Sequence, residues 1–590
     1  MDPLDRFREI VVVDSEFVAA PSERPVPVCV CAKLLRSGQE IMVWRDEMGA
    51  TPPYPIGDDV LFVAFAAAAE LEVHLALGWP LPAHVLDLRV EHINQTGISE
   101  RNEGQVRAKP PRALLAVLRH YGIKDGDAAI KDAMRSLIMT GAWPAIEAKR
   151  GEILRYCLND AAALGPLLWK LLPGIRNFDQ ALRRGEYVAL TAEVCHNGIP
   201  FDSWAMGRLQ QREIRQALRL RLVSNESLAF GLYDGATLKQ ARLKEFAVRH
   251  KLPWKRTPTG RLSTSRETFE YIARDHPEFA GLAEIQKTLS MLHEFELAAG
   301  ADDRCRTPIW AFSTITGRMA PNGSAYPFTT AAWTRNLITP APGTALAYLD
   351  FASMEFGVAA GLSRCEPMIR DYREGDPYLG FGIEAGLAPL GATTQTHATF
   401  RERLKPMLLA IQYGGGDALV AGRLGIDQRA GARLVELHHQ KYPGYWDWSD
   451  RQLYVAFADG VLITRDGWQC RVSSRTSEFT ARNWLIQALS AGIFRYAGLM
   501  ARRLRIKICA VVHDALLIEV PADRIEEEVA RATLCLERAS RMFLHDLVLR
   551  VDAKIIREGE RFTDKRGGKL WDYVERTLQE LDQVDLRHVA

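Results

Sequence analysis

The sequence has no CxxC pair, no long apolar run and almost no net charge, and each absence excludes a class of protein. Its nine cysteines are scattered and odd in number, which argues against a zinc ribbon or a disulfide framework and for reduced thiols in a cytoplasmic setting. Cys29 and Cys31 alternate along an apolar strand, as packing residues do. The most apolar window, residues 61–69, is too short to cross a bilayer. The N-terminus, MDPLDRFREI, mixes both charge signs and lacks the apolar core of a signal peptide. A formal net charge of +2 means that any grip on nucleic acid must be local. Arg502-Arg503-Leu504-Arg505-Ile506-Lys507 is one basic cluster and Lys565-Arg566-Gly567-Gly568-Lys569 another, and each reads equally well as solvated surface. A hydrophobic fraction of 47% with 25% charged residues excludes general disorder, and 590 residues exceed what one core can organise, so three or four units are expected.

What is present is a set of carboxylates released at strand ends. Residues 506–520, IKICAVVHDALLIEV, read as two buried strands joined by a turn that carries Asp514. Taken alone, an aspartate in a turn is ordinary. Residues 344–351, TALAYLDF, form another strand ending at Asp350, followed by a helix containing Glu355. If the two strands pair, the two acids can share metal ions. Between them, RERLKPMLLAIQY places Arg401, Lys405, Leu409 and Tyr413 at steps of four, one slowly drifting helical face that ends in three glycines. Such a face can hold a triphosphate at one end and stack a base at the other. Pro406 within it predicts a kink, or a helix that starts just before the proline.

The first third repeats the theme. IVVVDSEF delivers Asp14 and Glu16 two residues apart on a strand, hence on one face. Two like charges there repel unless a cation lies between them. Residues 26–35 and 41–45 read as further strands, residues 61–77 as a strand entering an alanine-rich helix with Glu70, and VLDL as a strand ending at Asp87. Residues 151–172 have helical periodicity, with Tyr156 and Asp160 four apart on one face. In the middle third, a Gly-Ile-Pro-Phe-Asp exit near residue 200 marks a domain junction, residues 208–248 suit a pair of amphipathic helices, and the loop 255–264 gathers Lys255, Arg256 and Arg261 with hydroxyls that can face phosphates.

The acids of the first third resemble the proofreading 3′–5′ exonucleases of the DEDD superfamily, in the subgroup with a tyrosine in its last motif. Asp-x-Glu is matched by Asp14 and Glu16, and Tyr-x3-Asp by Tyr156 and Asp160. The resemblance implies an RNase H-like α/β domain over residues 1–178, with the acids holding two divalent cations and Tyr156 orienting the attacking water. Two-metal chemistry suits phosphodiester cleavage because one ion prepares the nucleophile and the other takes charge from the leaving oxygen. The second motif departs from the pattern: Phe65-Ala66-Ala67-Ala68-Ala69-Glu70 stands where His-Asn-x-x-(aromatic)-Asp is usual. Glu70 is expected to supply the missing carboxylate, and Asp87 falls where an aspartate follows on the next strand.

From about residue 185 onward the chain resembles the polymerase module of family A DNA polymerases, the DNA polymerase I type, and especially its bacteriophage members. Motif A is Asp350-Phe351-Ala352-Ser353-Met354-Glu355, motif B is Arg401, Lys405, Tyr413 and Gly414, and motif C is His513-Asp514-Ala515. Thr316-Gly317-Arg318, Arg335-Asn336 and the pair Asn483 and Gln487 match further family positions. The resemblance implies a right-hand polymerase with a thumb near 205–300, fingers near 366–478 and a palm from 301–365 and 479–590. Asp350 and Asp514 are then expected to hold two Mg2+ ions, with Mn2+ as a substitute. Arg401 and Lys405 are expected to bind the triphosphate and Lys405 to protonate pyrophosphate. Tyr413 would pack at the templating base, Glu355 would exclude the ribose 2′-hydroxyl, and His513 joins this nucleotide-binding set. Arg318, Gln487, Asn483, Arg335 and Arg261 form the expected DNA contacts. Ala515 replaces a third acid, Leu409 an aromatic residue, Tyr378 a phosphate-binding histidine and Phe479 an arginine.

The expectation is a monomer in the cytoplasm of a bacterial or phage-infected cell that uses primer–template DNA and deoxynucleoside triphosphates, with no 5′-nuclease domain ahead of residue 10. A clamp or helicase partner is not legible. Two rivals stay open: a 3′–5′ exonuclease whose polymerase half only binds DNA, and a non-catalytic nucleic-acid-binding protein.

Overall fold

Two separate β-sheets carry the two sets of acids. The computed structural model describes residues 2–97, 112–124, 128–225, 229–545 and 547–589. In the first sheet β1 (Glu9–Val18) lies at the centre, because the run from Ile10 to Val13 is buried on both faces. It pairs antiparallel with β2 (Val26–Leu34), which pairs with β3 (Glu40–Trp44). On its other side β1 runs parallel to β4 (Val60–Ala64), the strand that leads into α1 (Ala68–Ala76). With β5 (Val85–Asp87) the order is β3-β2-β1-β4-β5.

Asp87 ends β5, as its place in VLDL leads one to expect, and there it serves as a cap. Its carboxylate accepts from the backbone N–H groups of Ala66, Ala67, Arg89 and Val90, capping α2 (Leu88–Thr96) and closing the end of β4. Four backbone donors commit it to that cap. Next come α3 (Ala128–Met139) and α4 (Arg150–Leu171); α4 packs along β1 and β2.

Near residue 200 a helix stops and an extended segment starts at the Gly-Ile-Pro-Phe-Asp exit, as the sequence leads one to expect. α5 (Phe178–Asn197) ends where Gly198 turns the chain, and along its length it packs against β5 and α1. Gly185 lets it approach so closely that a Cβ there would meet the Val85 carbonyl oxygen at 1.9 Å. One residue earlier, Arg184 makes a buried bidentate pair with Glu91 of α2, both bonds 2.7 Å. Helices Ser203–Gln210, Arg212–Ser224, Gln240–Arg249, Arg266–Asp275 and Ala280–His293 follow, around a core that also takes in Leu346, Leu517, Ile556 and Trp571. The C-terminal helix Gly568–Val589, counted with the palm on sequence grounds, lies against the first two of these.

The second sheet starts with β6 (Thr344–Phe351), which turns into α6 (Met354–Ser363). α7 (Ala398–Gln412) runs unbroken through Pro406, whose carbonyl accepts from Arg423 at 2.9 Å. After the long α8 (Glu478–Arg503), β7 (Ile508–Val512) and β8 (Ala515–Pro521) form a hairpin whose two turn residues are His513 and Asp514. α9 (Ile525–Phe543) covers the sheet and β9 (Val551–Ile556) completes the antiparallel order β7-β8-β6-β9. α5 packs on β7 and α8 as well, so it belongs to both halves of the molecule. The nine cysteines are free and buried, and among the described residues no helix is long and apolar enough to cross a membrane.

Candidate active sites

Asp350 lies directly opposite Ala515 of β8 on one side and Asp552 of β9 on the other. Residues paired across antiparallel strands project to the same face, so these three positions form one row, with Asp514 in the adjoining turn. Burial, then the Asp514 charge and, more weakly, that of Asp552, push the Asp350 carboxyl up to about 7 against the pull of Lys405. Burial also raises Asp514, against Arg318, His513 and Lys405. His513 itself is exposed, held at φ 54° by the tight turn. Asp552 belongs to none of the motifs, and only strand register puts it beside Asp350.

Ser353, at φ 51°, bends the chain from β6 into α6 and places Glu355 in the first helical turn. The Glu355 carboxylate accepts from the Tyr413 hydroxyl on one oxygen and from Arg318 Nη2 on the other, the latter at 3.3 Å. Arg318 is positioned by a fixed loop. The indoles of Trp468 and Trp484 donate to the Ile315 carbonyl at 3.0 and 2.8 Å, and Arg495 donates to Gly317 at 2.9 Å. Gly317 needs to be glycine, since its φ is 72° and a Cβ would stand 3.0 Å from the Trp468 ring. Trp484 and Arg495 tie this loop to α8, which carries Asn483 and Gln487 one turn apart; Asn483 Oδ1 is buried without a partner.

On α7 the guanidinium and ammonium of Arg401 and Lys405 lie 5.3 and 5.9 Å from the ring centroid of Tyr378, and Arg401 Nε donates to Asp376 at 2.5 Å. Tyr378 is buried and its hydroxyl has no partner. Tyr413 meets Phe479 edge-on at 6.1 Å, and Leu409 is partly buried. The five expected DNA contacts are not gathered together. Arg335 is turned inward, paired with Asp564 and donating to the Phe328 carbonyl at 3.0 Å. Arg261 stands exposed on a turn closed by a 2.8 Å bond from Thr257 N–H to its carbonyl.

A second pocket forms where the end of β1 meets α1 and α4. Asp14 and Glu16 share a face of β1, Glu70 enters from α1, and Tyr156 and Asp160 come from α4. Burial, with the charges of Asp160, Glu16 and Glu70, raises Asp14 well above the carboxylate range. Burial lifts Glu16 to about 7 although the Tyr156 hydroxyl bonds to it, and Glu70, only 4% exposed, is raised by burial as well. Asp14 Oδ2 and Glu70 Oε2 are buried without any partner. Lys131 of α3, in no motif, pairs with Asp160.

The model of DNA polymerase family A matches residues 206–560, more than half of the chain. The chain belongs to DNA polymerase family A. Among its relatives, the DNA polymerase of Mycobacterium phage L5 is 26% identical over 291 residues, covering 47% of this chain and 46% of that protein. The thermostable DNA polymerase I of Thermus thermophilus is 25% identical over 309 residues, covering 47% of this chain and 36% of its own length. The matches therefore span less than half of either relative. The fold is similar to that of the POL domain of Pol1 from M. smegmatis, solved in complex with DNA primer-template and dNTP: the TM-score is 0.70 over 93% of this chain and 95% of that one, at 17% identity.

Divalent metal ions are general to the family, and both pockets fit them chemically. Each offers carboxylate oxygens, the hard donors that Mg2+ and Mn2+ take. In the second pocket two of those oxygens are buried with nothing to bond. Acids raised by mutual repulsion and burial are groups that a cation would relieve.

Proposed function

We propose that this family A member performs template-directed DNA synthesis from deoxynucleoside triphosphates and that its N-terminal third is an RNase H-like 3′–5′ exonuclease that trims the primer. The observation that carries the first reading is the row on the second sheet: strand pairing brings Asp350 and Asp514 together although 163 residues separate them, and Lys405 of α7 faces both. The division proposed is an exonuclease over residues 1–178, then thumb 205–300, fingers 366–478 and palm 301–365 with 479–590, in a cytoplasmic monomer.

Asp350 and Asp514 would hold Mg2+, which supplies activation of the primer 3′-hydroxyl and neutralises charge on the transferred phosphoryl group. The chain's own residues do the rest. Arg401 and Lys405 bind the triphosphate from α7, with Lys405 placed to give its proton to the leaving pyrophosphate. Glu355 stands under the sugar, where a 2′-hydroxyl would have to displace it. Tyr413 packs at the templating base. Arg318, Gln487 and Asn483 donate to minor-groove acceptors that all correct pairs present alike, which tests shape without reading sequence. In the second pocket Asp14, Glu16, Glu70 and Asp160 would hold the ions of the trimming reaction, and Tyr156 orients the attacking water.

A 5′-labelled primer on a longer template, incubated with Mg2+, tests both halves. With all four deoxynucleotides the primer lengthens; without them it shortens. A primer unchanged under both conditions is the result for a protein that only binds DNA.

A further inference from the structure

The nuclease pocket holds four acids, and one lysine reaches into it. Lys131 sits on α3 one turn before Met134 and two turns before Ile138, which are buried in the core against Cys31 and Trp44. This spacing puts Lys131 on the core-facing side of its helix. Its ammonium bonds Asp160 Oδ2 and lies 5.6 Å from the centroid of the Tyr156 ring. The two side chains are only 18% and 13% exposed, so the pair is shielded from solvent and salt far better than a surface ion pair.

One ammonium balances one charge. Asp14 Oδ2 and Glu70 Oε2 remain without partners while Lys131 is engaged, so the pocket still has oxygens to offer a cation. An ion that takes Asp160 Oδ2 must displace the ammonium from it.

We propose that Lys131 is the resident counter-ion of the exonuclease pocket: it holds Asp160 in place, competes with the divalent cation for that carboxylate, and, once displaced, remains beside Tyr156 as a positive charge facing the substrate phosphate. This rests on the exonuclease reading above. Lys131 is a positioning residue by its contact with Asp160, and its displaced state gives it a part in the rate.

The test uses the full chain with Lys131→Met, Lys131→Arg and Asp160→Ala. Mn2+ binding is followed by electron paramagnetic resonance without DNA, the sites lost in Asp160→Ala identifying the nuclease pocket. Excision of a 5′-labelled single strand is followed under single-turnover conditions with saturating Mg2+. Removing a competing unit charge should tighten Mn2+ binding about tenfold in Lys131→Met, while the excision rate falls about tenfold with little change in the DNA concentration at half-saturation. Lys131→Arg restores both, and wild-type primer extension by each variant shows that it is folded. A Lys131→Met protein with wild-type Mn2+ affinity overturns the proposal, as does one with a wild-type excision rate. If the wild-type chain trims no DNA, or trims it equally well with Asp160→Ala, the exonuclease reading fails instead, and Mn2+ affinity alone then decides for or against the counter-ion.

Discussion

Tyr413 donates its hydroxyl to the carboxylate of Glu355, joining the end of α7 to the first turn of α6 beside Asp350. Arg318 holds the other Glu355 oxygen, so the proposed sugar gate is a carboxylate clamped at both ends.

Removing one clamp should loosen the gate without removing it. Tyr413→Phe keeps the ring against Phe479 and deletes only the hydroxyl. A charge-assisted hydrogen bond of this kind is worth about 1.5–3 kcal/mol. Discrimination against ribonucleotides should therefore fall by roughly tenfold or more, with deoxynucleotide incorporation little changed. Glu355→Ala should lose still more. Competitive incorporation of matched ribo- and deoxynucleotides reads both, and unchanged discrimination in Glu355→Ala removes the gate.

The raised acids predict how stability follows pH. Asp350 and Glu16 titrate near 7 in the folded chain against ordinary values of 3.8 and 4.5. The folded state thus keeps protons that the unfolded chain releases. This contribution to stability is fully present below the ordinary values and is lost as pH rises through about 7. A divalent cation binds the ionised acids and reverses the trend. Calorimetry should show Mg2+ raising the melting temperature more at about pH 7.5 than at about pH 5.5. Asp552→Asn removes a like charge beside Asp350 and should move the acid limb of primer extension to lower pH.

Much of this was legible in the sequence wherever strand and helix periodicity was strong. The hairpin of β7 and β8 and the strands that carry Asp14 and Asp350 lie where their apolar runs predict them. The helix that carries Arg401 and Lys405 also forms, but it starts at Ala398, well before Pro406, which lies inside it. Contacts between distant segments were not legible. Asp552 meets Asp350 only through strand register, Lys131 reaches Asp160 only because α3 folds over the end of β1, and the four backbone N–H groups that Asp87 accepts are not announced by its place at a strand end. Charge and spacing name candidates for chemistry; they do not say which of them the fold has already used for capping or pairing.

The two pockets should separate cleanly by mutation. Asp160 lies on α4 and contributes nothing to the second sheet. Asp160→Ala should abolish primer shortening in the absence of nucleotides and leave extension within about twofold. Loss of extension in this variant would mean that the sites are not independent.

The most direct measurement is single-turnover addition of one nucleotide to a primer–template by the wild-type chain and by Asp514→Asn. The substitution keeps the shape of the turn and removes one of the two charges proposed to hold the metal, a contribution of several kcal/mol to transition-state stabilisation. The expected rate is lower by about a thousandfold or more at saturating Mg2+ and nucleotide, with DNA binding retained. Addition by Asp514→Asn at the wild-type rate would contradict it.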